Sequence, residues 1–145
     1  MTALDPAEMT YHARRLVAVF EQTGDTAALT DAVDYCYAAI GATPEGDPGL
    51  GERYCDLGAA LWRQYEYTDD LGTLYGAVRA RRAAVSVTAA KSADYGVFLS
   101  HLALTLRALY WHTGDLAALD EAITHQAVVA ARAADDPAAG ELAKG

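Results

Sequence analysis

The stretch Thr113-Gly114-Asp115-Leu116-Ala117-Ala118-Leu119-Asp120-Glu121-Ala122-Ile123 decides the fold, because its opening triplet has occurred twice before. Thr23-Gly24-Asp25 and Thr68-Asp69-Asp70 precede it at intervals of 45 residues. Laying residues 11–45, 56–90 and 101–135 over one another leaves five columns identical in all three copies. They are Leu16/Leu61/Leu106, Thr23/Thr68/Thr113, Asp25/Asp70/Asp115, Leu29/Leu74/Leu119 and Ala32/Ala77/Ala122. Phe20/Tyr65/Tyr110 and Val33/Val78/Ile123 stay apolar in the same register. Fixed periods of about 20 to 50 residues belong to solenoids, in which a unit too small to bury its own apolar face is stabilised by its neighbours.

Within each copy the apolar residues before the triplet recur at helical spacing, as in Leu57, Leu61 and Tyr65 or Leu102, Leu106, Leu109 and Tyr110. Beyond it, Leu29, Ala32, Val33 and Cys36, then Leu119, Ala122, Ile123 and Gln126, follow the same period. Each copy therefore reads as two helices. At the joint, Gly24 or Gly114 can take the left-handed conformation that ends the first helix, and Asp25, Asp70 and Asp115 can cap the second. Capping accounts for these aspartates without a catalytic role. The β-branched residues are scattered and no strand pattern emerges, so the chain is expected to be all-α.

The first helix is expected to start at Asp5-Pro6, an N-cap followed by a proline whose missing N–H costs nothing in the first turn. Gly41 to Gly49 is the strongly loop-like segment, and a tighter link lies near Ala89 to Ala93. The expected organisation is one helical-repeat domain over 1–145, with repeats at about 5–47, 48–91 and 92–136 and the start of a further helix at 137–145.

On these columns the chain resembles an elongated tetratricopeptide repeat. Leu57-Gly58 and Leu61 are similar to the Leu-Gly and aromatic positions of the family's first helix. Ala77 and Ala84, Ala32 and Ala39, and Pro44 are similar to the second-helix alanines and the closing proline. Compared with the usual length of about 34 residues, each copy gains about four in the first helix, three at the turn and four between units. By period alone armadillo or HEAT repeats fit equally well, so the Leu-Gly and Ala columns carry the resemblance. It implies a right-handed α-solenoid of three antiparallel helix pairs. The run from Thr113 to Ile123 resembles more narrowly the long repeats that accompany caspase-like protease or signalling NTPase domains in bacterial multidomain proteins. That likeness implies a docking module and brings no catalytic residues with it.

Eleven basic residues against twenty acidic ones give a formal charge of −9, which repels phosphate backbones and anionic lipid at long range. Neither nucleic acid nor membrane is expected as a partner. The apolar runs are too short to span a bilayer, and Asp5, Glu8, Arg14 and Arg15 interrupt any signal peptide, so a cytoplasmic protein is expected. Cys36 and Cys55 fall on apolar helical faces and read as thiols rather than a disulfide. His12, His101, His112 and His125 form no ligand-spaced cluster, and there is no phosphate loop or protease-like Cys and His pairing. No enzyme activity, metal or other cofactor is expected.

Function then rests on the surface. If the family geometry applies, the first helices line a concave face, and its columns give Tyr11, Arg14, Asp56, Trp62, Arg63, His101 and Arg107. Arginine and aromatic residues are enriched at interaction hot spots, which suggests a groove for a protein or an acidic peptide. The competing reading packs Trp62 between helices and pairs the arginines with local acids such as Glu66 or Asp56. Trp111 shares a column with Glu21 and Glu66, which marks an exposed site that a further repeat, a dimer mate or a partner could cover; a homo-oligomer built through an uncapped C-terminal repeat is the alternative expectation. The run Arg79, Arg81 and Arg82 reads as an outward, solvated face.

Overall fold

The computed structural model describes residues 4–135, among which six α-helices and no strand are found. They are α1 (Pro6–Thr23), α2 (Thr26–Gly41), α3 (Leu50–Thr68), α4 (Leu71–Ser86), α5 (Ala93–Thr113) and α6 (Leu116–Asp135). The further helix expected at 137–145 lies outside the described residues. The chain divides into two compact units, Met1–Thr88 and Ala89–Gly145, with the division at the tight link.

The three triplets make one recurring joint. The Thr23 hydroxyl donates to the Val19 carbonyl (2.7 Å) while its oxygen accepts the Asp25 N–H (3.2 Å). Thr68 does the same with Gln64 and Asp70 (2.8 and 3.2 Å), and Thr113 with Leu109 and Asp115 (2.7 and 3.1 Å). The threonine thus ties the last turn of one helix to the cap of the next, which explains its identity in all copies. The aspartates cap α2, α4 and α6, accepting from the N–H groups of Ala27 (3.0 Å), Thr73 (2.9 Å) and Ala117 (3.0 Å). Between them, Gly24 and Gly114 adopt φ of 74° and 75°, and Asp69 takes the same left-handed turn at 56°. At the start of the chain, Asp5 and Glu8 form a reciprocal capping box around Pro6.

In the first unit α1 folds back on α2 and α3 on α4, and α3 also packs on α2 and touches α1. One cluster joins them: Ala13, Leu29, Val33, Cys36, Leu57, Ala60, Leu61, Ala77 and Ala80, flanked by Val17, Phe20, Tyr35 and Ile40. Alanine columns let the helices approach closely, and each fully buried leucine contributes about 1.5–3 kcal/mol. The linker before α3 is fastened by Arg53, whose guanidinium donates to the hydroxyls of Thr43 (3.0 Å) and Thr10 (3.4 Å). In the second unit α5 packs on α6, burying Leu102, Leu106 and Leu109 of α5 and Ala118 and Ala122 of α6. Arg132 of α6 stacks on Tyr95 (5.0 Å) and donates to the carbonyls of Ala90 and Ser92, holding the segment that enters α5. No described helix is long and apolar enough to cross a membrane.

Candidate functional site

The surface where α1 and α3 run together gathers four of the residues singled out in the sequence, Tyr11, Arg14, Asp56 and Arg63. Tyr11 is 58% exposed and stands beside Arg14 on the wall of a shallow cleft of about 270 Å³ that Thr10, Glu52 and Arg53 also line. Arg14 bridges the helices, with Nη2 at 2.9 Å and Nε at 3.1 Å from Asp56 Oδ2, and Glu52 further off at 3.6 Å. A second hollow of about 130 Å³ opens on the other side of Arg14, over Ala13, Val17, Cys36, Asp56 and Ala59.

Burial pushes the Asp56 carboxyl above its ordinary value, and the Arg14 guanidinium pulls it back without fully cancelling the effect. Arg14 is in turn held more firmly protonated by its hydrogen bond to Asp56. Cys36 lies at the floor of the hollow, where burial pushes its thiol up to about 12, and burial raises Cys55 as well. Both shifts disfavour the thiolate form that nucleophilic chemistry needs. Among the described residues no three His, Cys, Asp or Glu side chains come together as metal ligands.

Further along α3, Arg63 bonds Glu21 of α1 (3.2 Å) and Glu66 on its own helix (3.1 Å). Trp62 is half-buried, against Tyr65 (5.7 Å) and beneath the guanidinium of Arg81 (5.5 Å). The arginines of this face are therefore already paired with local acids. His101, half-buried, and Arg107, exposed, lie on α5 in the second unit, as does Trp111, which is 78% exposed.

Arg81 corrects the sequence reading. Arg79 and Arg82 are solvated as expected, but Arg81 is only 7% exposed and burial lowers its pKa. Its aliphatic stem crosses α3 at Gly58, where an added Cβ would lie 2.7 Å from Cγ. The signal was available: Arg81 shares a column with the buried Cys36, and Gly58 shares one with Ala13 and Ala103. Copy two has exchanged a small pair for a glycine and a long cation. Arg53 was missed for a different reason, since its column holds Glu8 and Phe98 and carries no common chemistry.

Comparison with protein-family models, with curated proteins and with solved structures finds no match for this chain.

Proposed function

We propose that the chain is a non-catalytic protein-interaction scaffold, a right-handed tetratricopeptide-like solenoid of cytoplasmic, bacterial type whose α1–α3 face binds a peptide or partner domain. The observation that carries this reading is the exposed Tyr11 beside Arg14 on an open, shallow, charged cleft. The aspartates of the three turns are occupied as helix caps, which accounts for their recurrence without a catalytic role.

An acidic partner suits the geometry. Glu52 is the looser of the two acids on Arg14, at 3.6 Å against 2.9 Å for Asp56. Exposed ion pairs contribute about 0–1 kcal/mol, so a carboxylate of the partner can replace Glu52 at little cost while Asp56 keeps Arg14 in place. Tyr11 supplies a rigid ring at the same spot.

Affinity capture from native lysate tests this reading, comparing the wild-type chain with a Tyr11→Ala, Arg63→Glu variant of equal helicity. Both positions are exposed, so the core is spared. Loss of a specific protein from the variant is expected, whereas identical capture by both would move the site off this face. A second reading, self-assembly through the C-terminal helix pair, draws on the exposure of Trp111. Sedimentation at several concentrations separates the two, because a concentration-independent monomer is incompatible with assembly.

A further inference from the structure

The register that lays the copies over one another also marks the flank on which α3 sits. On α1 that flank is Arg14, Val17 and Glu21: Arg14 pairs with Asp56 and Glu52 of α3, Glu21 pairs with Arg63, and Val17 packs on the shared cluster. On α2 it is Leu29, Val33 and Cys36, buried with Leu57, Ala60 and Leu61 of α3, and Ile40 packed beside them. Two copies later the same columns are Leu104, Arg107 and Trp111 on α5, and Leu119, Ile123, Gln126 and Ala130 on α6.

In the second unit this flank is open. Leu104 is 48%, Trp111 78% and Ile123 57% exposed, although the α2 counterpart of Ile123 is buried. The two charged positions that meet α3 in the first unit, Arg14 and Glu21, have become leucine and tryptophan. A solvated face gains nothing from that exchange; a face that buries against another helix does.

We propose that the α5–α6 flank docks an amphipathic helix of another polypeptide, seated as α3 is seated on α1 and α2. The proposal concerns a different surface from the α1–α3 face and does not depend on it. The template specifies the chemistry of the incoming helix. It presents apolar residues at the positions of Leu57 and Leu61 and a small one at Ala60, to meet Leu119, Ile123 and Ala130. At the positions of Asp56 and Arg63 it is apolar too, because Leu104 and Trp111 face it there. At the position of Ala59 an acid can reach Arg107, whose counterpart Val17 lines the hollow that Ala59 shares.

Neither α1 nor α3 of a second copy offers such a helix. In a second copy Leu57, Ala60 and Leu61 are buried in their own core, and the corresponding α1 residues are His12, Arg15 and Leu16.

The test uses a fluorescein-labelled synthetic peptide of residues 50–68 carrying Cys55→Ser, Asp56→Leu, Ala59→Glu and Arg63→Leu, titrated with the full chain and followed by anisotropy. Saturable binding is expected, weakened roughly tenfold or more by Ile123→Glu or by Trp111→Ala and unchanged by Tyr11→Ala. A peptide with Leu57→Asp and Leu61→Asp in addition should not bind. Ile123 and Trp111 are exposed, so both variants should keep the wild-type circular dichroism, which is recorded alongside. Absence of saturable binding, or binding indifferent to Ile123→Glu, overturns the proposal. So does concentration-dependent dimerisation that Ile123→Glu abolishes, since a second copy would then own the flank.

Discussion

Gly58→Ala distinguishes the packing described for α3 and α4 from that of an ordinary helix pair. At an open helical position, alanine in place of glycine stabilises by about 1 kcal/mol. At position 58 the new methyl would stand 2.7 Å from Cγ of Arg81, 3.2 Å from Nε and 3.5 Å from Cδ. Carbon atoms rest about 3.5–4.0 Å apart, so the nearest approach is short by roughly 0.8 Å. Cγ is not the loose end of the side chain, because Arg81 is buried and its guanidinium lies over Trp62. Relief requires a new Arg81 rotamer or a parting of α3 from α4, and overpacking of this kind costs about 1–3 kcal/mol. The expected net effect is a loss of about 0–2 kcal/mol. In an Arg81→Cys background, which recreates the Ala13 and Cys36 pair of the first copy, the methyl meets no stem and the gain of about 1 kcal/mol returns. Urea unfolding followed by circular dichroism on the wild type, both single variants and the double variant gives the coupling, expected at about 1–3 kcal/mol. If Gly58→Ala stabilises both backgrounds equally, the notch is not what admits Arg81 and the reasoning fails.

Asp69→Gly should stabilise by about 0.5 kcal/mol, because an L side chain at φ 56° is strained where Gly24 and Gly114 are not. A loss in the same urea experiment would show that the contact of Asp69 with the Tyr65 hydroxyl outweighs the strain. Arg14→Ala should cost about 1 kcal/mol at neutral pH, a figure already reduced for the screening of the half-exposed guanidinium. Asp56 takes up a proton more readily folded than unfolded, and more so without Arg14, so the variant should regain ground on the wild type as pH falls into the carboxylate range. A deficit independent of pH would remove Asp56 from the explanation. The folded Cys36 thiol keeps its proton up to about 12 while the unfolded one releases it near 9.0, so its contribution to stability is lost as pH rises through that window. Cys36→Ala should flatten the alkaline slope, and Ellman's reagent should label Cys36 only on unfolding; prompt labelling of the native protein would refute the burial.

Much of the fold was legible because backbone requirements leave local traces. A left-handed residue followed by a capping aspartate is a short-range pattern, and the threonine that ties them together recurs at the same step each time. The exposure of Trp111 could be read from Glu21 and Glu66 in its column, since acids at the rim of a helix contact keep access to solvent even where they pair, as both do with Arg63. The site was harder to read. Charge made Arg81 look solvated, although its column with Cys36 is a core column, and only the neighbouring helix reveals the glycine that makes room for it. The Arg63–Glu66 pair is an i,i+3 spacing that the sequence shows, but the pairs of Arg14 with Asp56 and of Arg63 with Glu21 depend on which acids of another helix come within reach, a distance that no spacing along one helix encodes.

The central claim is that the α1–α3 face takes a protein partner, and photo-crosslinking from position 11 tests it most directly. A benzophenone amino acid replaces Tyr11 in the cells that make the protein, with the same group at Tyr37, exposed on α2, as the control. The expected result is a light-dependent adduct of discrete mass from position 11, absent from position 37 and diminished by Arg63→Glu. No adduct from position 11, or equal adducts from both positions, would contradict the claim.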